Sequence, residues 1–168
     1  MEIRQISEIT PEQKKYLSQV LVEAVNGGAS VGFMLPFSWK DADNYWSMID
    51  SSLNSHHLLW VAIEKNLIIA TVQLILAVSQ NRRHRAEVVK LLVSPHFRGQ
   101  KIATKLMNAL EAEAHKLGIT LLLLDTQTSS TAESIYQHLG WQKIGEIPDY
   151  AKNPRGVLCS TSYFYKLI

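Results

Sequence analysis

One segment in the middle of the chain constrains the fold more than any other, because it joins a β-strand to a long helix through a glycine loop. The strand is predicted over residues 86–93, and Pro95 ends it. Over residues 101–117 the apolar side chains recur every three or four positions, which is the pattern of an amphipathic helix. The chain therefore passes from strand to helix in a short loop around Gly99.

The loop at the start of this helix has the properties of an anion-binding site. A helix N-terminus presents unpaired N–H groups and a partial positive charge, and both stabilise an anion beside them. Gly99 allows a ligand to approach the backbone closely, and Arg98 adds a cation. The segment therefore favours a phosphate or pyrophosphate ligand, and an ordinary connection between strand and helix is the alternative.

Two capped helices are predicted before the first long strands. Thr10 begins a capping-box pattern, which predicts a helix that ends near residue 26. After an apolar loop over residues 29–36, Ser38 begins a second helix that ends near residue 54. The predicted apolar stripe of this second helix consists of Trp39, Tyr45, Trp46, Met48, Ile49 and Leu53.

Strand patterns flank the central segment on both sides. Residues 58–63 and 67–78 are rich in β-branched and apolar side chains, and the short polar spacing between them predicts a hairpin. Residues 119–124 form a continuous apolar run that is short enough to be a buried strand. This strand is predicted to end at Asp125, at the start of a polar segment.

The last third of the chain is predicted to contain one helix and two strands. Ser130 and Glu133 have the spacing of a capping box, which predicts a helix ending near residue 139. Two strands are predicted on either side of a turn-rich loop over residues 148–156, at residues 141–147 and 157–167. We find no internal repeat and no low-complexity linker in the sequence.

Length and charge set limits on the class of protein. A chain of 168 residues fits one compact domain, so we predict a single domain over residues 1–168. The formal net charge of +2 is small, and the one basic cluster, at residues 82–85, is too short to cover a phosphate backbone. We therefore expect no nucleic-acid partner.

Other partners are also unexpected from the composition. No stretch approaches the roughly 20 apolar residues of a membrane span, and the N-terminus lacks the apolar core of a signal peptide, so we expect a cytoplasmic protein without a membrane partner. The histidines are dispersed and lack acidic or thiol neighbours at metal-ligand spacing, so we expect no metal. The oligomeric state stays open between a monomer and a homodimer.

Two motifs make the chain resemble the GNAT superfamily of N-acetyltransferases. Residues 98–103 are similar to the coenzyme A signature of that family, which has arginine or glutamine, two residues, glycine, one residue, then glycine or alanine. Lys101 stands where the family has the middle glycine. Residues 132–141 resemble the family's later helix, which carries alanine, tyrosine and a terminal leucine, glycine and aromatic residue.

The resemblance implies an α/β fold, in which helices flank a mixed and largely antiparallel central sheet, and acetyl-CoA as the cosubstrate. Lys101 is predicted to pair with a coenzyme phosphate, and Ser129 replaces an asparagine that commonly touches the coenzyme in the family. The break after Val93 predicts that this end of the strand offers free amides to the pantetheine. The predicted coenzyme site comprises Leu91, Leu92, Val93, Arg98, Gly99, Gln100, Lys101, Ile102, Ala103, Thr104 and Ser129.

The resemblance also implies three catalytic residues. Tyr136 corresponds to the family tyrosine that protonates the departing thiolate. Glu87 and Asp125 are predicted to handle the proton of the amine, provided that their strands are neighbours as the family fold implies. Each residue also has a structural interpretation, since Tyr136 can pack on the sheet, Glu87 can face solvent opposite Arg85, and Asp125 can cap the following loop.

The acceptor pocket is predicted to be lined by Ser30, Phe33, Trp39 and Tyr150. Segments from Gly27 to Pro148 are similar to the tabtoxin-resistance acetyltransferases of the superfamily, which implies a small-molecule amine acceptor such as an amino-acid-like toxin or metabolite. Two alternatives stay open. One is a degenerate domain that binds acyl-CoA or a protein partner without turnover, and the other is an enzyme that acetylates proteins.

Overall fold

Seven strands form a single mixed sheet in the computed structural model, which describes all residues from 1 to 168. The strands are β1 (Glu2–Ile6), β2 (His57–Glu64), β3 (Leu67–Leu76), β4 (Arg85–Val93), β5 (Leu121–Gln127), β6 (Gln142–Lys152) and β7 (Leu158–Leu167). Their spatial order is β1-β2-β3-β4-β5-β7-β6, and every neighbouring pair is antiparallel except β4 and β5. The predicted mixed and largely antiparallel sheet is confirmed.

Four α-helices cover the two faces of this sheet. They are α1 (Pro11–Asn26), α2 (Trp39–Ser52), α3 (Ile102–Lys116) and α4 (Thr131–His138). The predicted capping box at Thr10 is present, and Ser38 forms one with Asp41, so the predicted starts of α1 and α2 are confirmed. None of the four helices has the length and apolar character that crossing a membrane requires.

The core is divided in two by the sheet. Helices α1 and α2 pack on one face around Trp46 and Leu59, while α3 and α4 pack on the other around Trp60 and Phe164. Leu59 and Trp60 are neighbours in β2 and point to opposite faces, and both are buried. Strands covered on both faces read as continuous apolar runs, which explains the sequence of β2 and β3.

Strand β4 pairs with β5 over only a short distance. The parallel ladder joins Arg85–Glu87 to Leu121–Leu123, and no pair follows it. Further along β4, Lys90 and Leu91 together lie opposite Val72 of β3, so β4 carries a β-bulge at this point. A bulge bends its strand, and here β4 leaves β5 and stays with β3. We call the resulting space the β4–β5 gap.

The structure corrects the predicted end of the chain. Strand β6 continues through Pro148 to Lys152, where the sequence predicts a loop over residues 148–156. Proline is tolerated because β6 is an edge strand and its ladder with β7 has an irregularity between Ile147 and Ala151. Only the short segment between β6 and β7 is a turn.

Two further predictions about local structure are wrong. Asp125 does not end its strand, because β5 runs to Gln127 and Asp125 pairs with Tyr163 of β7. The predicted apolar stripe of α2 includes Trp39 and Met48, whose side chains are 46% and 60% exposed. Neither packs in the core, since both lie outside the buried face that Ala42, Trp46 and Ile49 form.

Candidate active site

The loop before α3 holds a row of free backbone donors. Six consecutive backbone N–H groups, from Gly99 to Thr104, make no hydrogen bond within the chain, and the N–H of Lys105 is the first to donate, to the Lys101 carbonyl at 3.1 Å. No side chain caps this helix. Unpaired amides at a helix N-terminus favour an anion, so residues 99–104 have the donor set that a pyrophosphate requires. We call them the amide cradle.

Lys101 lies just before the helix and not in its first turn. Its φ of 58° is left-handed, and it occupies the N-cap position of α3. Gly99, two residues earlier, has a φ of 77°. A left-handed backbone favours glycine, which gives a physical reason for the family glycine at the position of Lys101. The ammonium of Lys101 forms no ion pair within the chain, and its side chain is exposed.

The end of β4 that leads to the cradle has a free edge. Beyond Glu87 no residue of β4 pairs with β5, so the edge of Leu91, Leu92 and Val93 that faces the gap has no strand partner. The sequence ascribes this freedom to the break after Val93, whereas in the structure the strands separate earlier, after Glu87 and just before the bulge. The side chain of Leu92 is buried in the core beneath α1 and α2.

Tyr136 is a buried tyrosine whose hydroxyl has no partner in the chain. Its side chain is 6% exposed, and its ring packs near Trp141 and Phe164, with centroids 6.0 and 6.2 Å away. Burial, and secondarily the charge of Asp125, raises the pKa of the phenol well above its ordinary value. The hydroxyl is therefore protonated at neutral pH. The ring packs in the core, and the hydroxyl remains available to donate its proton.

The loop before α4 is fixed by a buried carboxylate. Ser130 accepts the N–H of Glu133, as a capping box requires, but the Glu133 carboxylate accepts the N–H of Ser129 in place of the cap residue's own N–H. Lys143 donates to Glu133 at 2.7 Å, and this bond is the main cause of a lowered pKa for the carboxyl. Ser129 itself has a left-handed φ of 61° and an exposed side chain.

The two predicted carboxylates lie on neighbouring strands, as expected. Glu87 pairs with Leu123 at the last position of the parallel ladder, and Asp125 follows two residues later on the same face. Burial raises the pKa of the Asp125 carboxyl, the charge of Glu87 raises it further, and Lys90 opposes both. The carboxylates therefore interact electrostatically beside the closed end of the gap.

Two tyrosines lie beside these carboxylates. Tyr163 pairs with Asp125 in the sheet, and its hydroxyl donates to the hydroxyl of Tyr150 at 2.8 Å. That hydrogen bond is the main reason that the pKa of Tyr163 is raised to about 12. Burial and the charge of Asp125 also raise it. Tyr150 is one of the predicted acceptor residues, whereas Tyr163 was not predicted. A hydroxyl beside a carboxylate on the next strand is visible only once the register is known.

An open pocket of about 500 Å³ lies between α2 and the loop that precedes it. It is lined by Gly32, Phe33, Met34, Pro36, Phe37, Asp41, Asn44, Tyr45 and Met48. Phe33 was predicted to line the acceptor site, whereas Ser30 and Trp39 do not line this pocket. The α2 residues of the lining recur at positions 41, 44, 45 and 48, and this helical face excludes position 39.

Lys90 lies beside two aromatic residues that line this pocket. Its ammonium lies 5.8 Å from the ring centroid of Phe33 and 6.0 Å from that of Tyr45. The sequence contains a signal for it that our predictions did not use. Arg85 and Glu87 are polar at odd positions of the strand and Lys90 is polar at an even one, a change of phase that indicates a bulge.

Comparison with known proteins identifies the family. The sequence model described as acetyltransferase (GNAT) domain matches residues 55–143, which include β4, the amide cradle and α4. The chain belongs to the GNAT acetyltransferase family.

A known relative is similar to this chain in sequence, and solved structures are similar to it in fold. The chain is similar to N-acetyltransferase 8F1 of Rattus norvegicus, with 32% identity over 98 residues, or 57% of this chain and 44% of the relative. The matched segment thus spans less than half the length of that relative. Among solved structures, a ribosomal-protein-alanine N-acetyltransferase from Brucella melitensis has a TM-score of 0.81 at 16% identity over 100% of both chains. An aminoglycoside 6'-N-acetyltransferase complexed with coenzyme A has a TM-score of 0.74 at 18% identity, over 99% of this chain and 97% of the other.

Replacing Lys101 with glycine separates its charge from its backbone conformation. We expect the affinity for coenzyme A to fall about two- to five-fold and to depend less on salt, because an exposed charge pair with phosphate is lost. We also expect the free protein to gain up to about 1 kcal/mol of stability, because glycine adopts the left-handed backbone without strain. Titration calorimetry and thermal unfolding measure the two effects.

Lys101→Gln is the matched control, because it removes the charge and keeps a side chain at the left-handed position. It should show the loss of affinity without the gain in stability. An affinity that stays unchanged or improves in Lys101→Gly would exclude a phosphate partner for this ammonium.

Proposed function

We propose that this protein is an acetyl-CoA-dependent N-acetyltransferase that acetylates a primary amine of a small molecule. The observation that carries the proposal is the amide cradle of residues 99–104, which comes shortly after the free edge of β4 along the chain. Family membership adds to this support. The donor set fits a coenzyme that carries both a pyrophosphate and amide groups.

Each part of the coenzyme has its own set of binding residues in this proposal. The N–H groups of Gly99, Gln100, Lys101, Ile102, Ala103 and Thr104 bind pyrophosphate oxygens, and the Arg98 and Lys101 side chains add positive charge. The gap-facing edge of Leu91, Leu92 and Val93 supplies backbone groups for the pantetheine arm. Ser129 lies in the loop that Glu133 fixes, at the other side of the gap. Acetyl-CoA supplies an acetyl thioester to the amine.

The acceptor amine must lose a proton before it can attack a thioester. Asp125 is the proposed base, because burial and the charge of Glu87 raise the pKa of its carboxyl and so strengthen its hold on a proton. Glu87 lies at the last paired position of β4 and contributes negative charge that favours an ammonium group nearby. Either carboxylate can take the proton directly or through a water molecule.

Tyr136 is the proposed acid for the departing thiolate. Its hydroxyl is protonated, has no partner in the chain, and belongs to α4, on the β5 side of the gap. A sulfur placed near this hydroxyl would receive its proton as the thioester breaks. The surrounding core holds the ring in place, so the packing interpretation and the catalytic one are compatible.

The pocket is large enough for a small acceptor. Its volume of about 500 Å³ is within the range of small-ligand sites. We propose an amino-acid-like toxin or metabolite, as the resemblance drawn from the sequence to tabtoxin-resistance acetyltransferases implies. The acetyltransferase neighbours include an enzyme named for aminoglycosides. A protein acceptor is the second candidate, because another neighbour is named for ribosomal-protein alanine. The single domain, the cytoplasmic location and the monomeric or homodimeric state stay predictions.

A turnover assay tests the proposed function. The protein is incubated with acetyl-CoA and a panel of small amines, amino acids and peptides, and the release of free thiol is followed. We expect amine-dependent release with at least one small amine. Binding of acetyl-CoA without release for any amine would instead support the degenerate binding module, and release with peptides alone would support a protein substrate.

Replacing Tyr136 with phenylalanine tests its role as an acid. The change removes one hydroxyl and little volume, so folding and acetyl-CoA binding should survive. The chemical step should slow by about ten- to a thousand-fold, which is the range for general acid catalysis with partial rescue by water. Single-turnover kinetics measure the step directly, and an unchanged rate with chemistry limiting would make Tyr136 a packing residue only.

Replacing Glu87 with glutamine tests the coupling of the two carboxylates. The charge of Glu87 raises the pKa of Asp125, so its removal lowers that pKa. Activity that depends on ionised Asp125 is lost as the pH falls through this pKa, so the acid limb of the kcat/KM profile should move to lower pH. Glu12→Gln, on the exposed first turn of α1, should leave the limb in place. A limb that stays fixed or moves to higher pH in Glu87→Gln would contradict the coupling.

A further inference from the structure

Lys90 occupies an unusual position for a lysine. It lies in the bulge of β4, with a left-handed φ of 54°, which a side chain other than glycine rarely adopts in a strand. Its neighbours Val89 and Leu92 remain paired to β3, so the strand continues on both sides of the irregularity. The bulge re-aims one side chain without ending the strand, and that side chain is a cation.

The ammonium of Lys90 lies in an aromatic enclosure. The rings of Phe33 and Tyr45 are within cation–π distance, and they contact each other edge to face with centroids 5.3 Å apart. The Tyr45 hydroxyl is held by Gln73 at 3.1 Å, and Gln73 in turn is bonded to His57 at 2.9 Å. The enclosure is thus fixed from behind by a buried hydrogen-bond chain, and its two rings also line the pocket.

No group of the chain pairs with this cation. No carboxylate lies within ion-pair distance of the Lys90 ammonium, and the ammonium donates no hydrogen bond within the chain. Burial lowers its pKa, and the charge of Asp125 opposes that shift. Lys90 is half-buried, so its ammonium is partly removed from water with only the two rings beside it and no anion, which makes a purely structural role for the charge unfavourable.

We propose that Lys90 is a specificity-determining residue that binds an anionic group of the acceptor, a carboxylate above all. Asp125 and Glu87 receive the amine of the same acceptor. The inference rests on the proposed function and adds to it the chemical class of the acceptor, a zwitterion with an amine at one end and an anion at the other. Two carboxylates favour the ammonium end, and the Lys90 ammonium pairs with the anionic end. The rings of Phe33 and Tyr45, which flank that ammonium, contact the apolar part of the acceptor next to its anion.

The experiment compares matched acceptors that differ only in the anion. A series of ω-amino acids from β-alanine to ε-aminocaproate is tested against the corresponding amides, and kcat/KM is measured for each pair. The wild-type protein should prefer the acid at one or more chain lengths by about 10- to 100-fold, the range expected for one charged hydrogen bond. Lys90→Met keeps the aliphatic stem of the side chain. It should reduce the ratio of kcat/KM for the acid to kcat/KM for the amide to near one, mainly by lowering the value for the acid.

Two controls separate the binding role from a structural one. Lys90→Arg retains the cation and should retain most of the preference, and Lys15→Met, on the exposed surface of α1, should leave the ratio unchanged. Because the charge of Lys90 lowers the pKa of Asp125, the proteins are compared at a pH above the acid limb of both. There Lys90→Met should lose little activity toward the amides, whereas damage to the fold would lower both activities together. An equal ratio in wild type and Lys90→Met, or no preference for acids in wild type, would overturn the proposal.

Failure of the proposed function gives a different result. If the protein releases no thiol with any amine, the same pairs of acid and amide are titrated calorimetrically in the presence of coenzyme A. A preference for the acid in binding that is lost in Lys90→Met would support the Lys90 site without acetyl transfer. Equal binding of acid and amide would reject it independently of turnover.

Discussion

The separation of β4 from β5 is the constraint on which the rest of the candidate site depends. The parallel ladder ends at Glu87, after which β4 remains paired with β3 and β5 with β7. Neighbouring strands usually pair along their length, because an unpaired backbone group is costly unless water or a ligand reaches it. A gap in the middle of a sheet is therefore stable only as a solvated or ligand-bound cleft. The bulge at Lys90 maintains the separation and also directs a cation toward the pocket.

The two ends of the gap differ in their chemistry. At the open end, β4 leads into the amide cradle of residues 99–104, where backbone donors and a helix N-terminus favour negative charge. At the closed end lie Glu87 and Asp125, whose interaction favours positive charge. In the mechanism that we propose, this difference orients a ligand with phosphates at one end and an acyl group at the other, and places the acceptor amine beside carboxylates.

Those features that depend on local pattern were predictable from the sequence. Thr10 and Ser38 form their caps with residues three positions away, and the helix after Gly99 follows from its spacing of apolar residues. Features set by pairing between distant strands were not predictable in this way. Asp125 continues its strand because β7 pairs with it, and Pro148 continues β6 because an edge strand tolerates its missing N–H. The position of Tyr163 beside Asp125 depends on register for the same reason, whereas the change of phase along β4 is a local signal for Lys90.

Amide hydrogen exchange measured residue by residue with and without coenzyme A tests the central claim most directly. The backbone N–H groups of residues 99–104 have no partner in the chain, so they should exchange rapidly in the free protein and become protected on binding. Protection should also appear along residues 91–93 at the free edge of β4. Coenzyme A that binds and protects other segments, while residues 99–104 continue to exchange as before, would contradict the account.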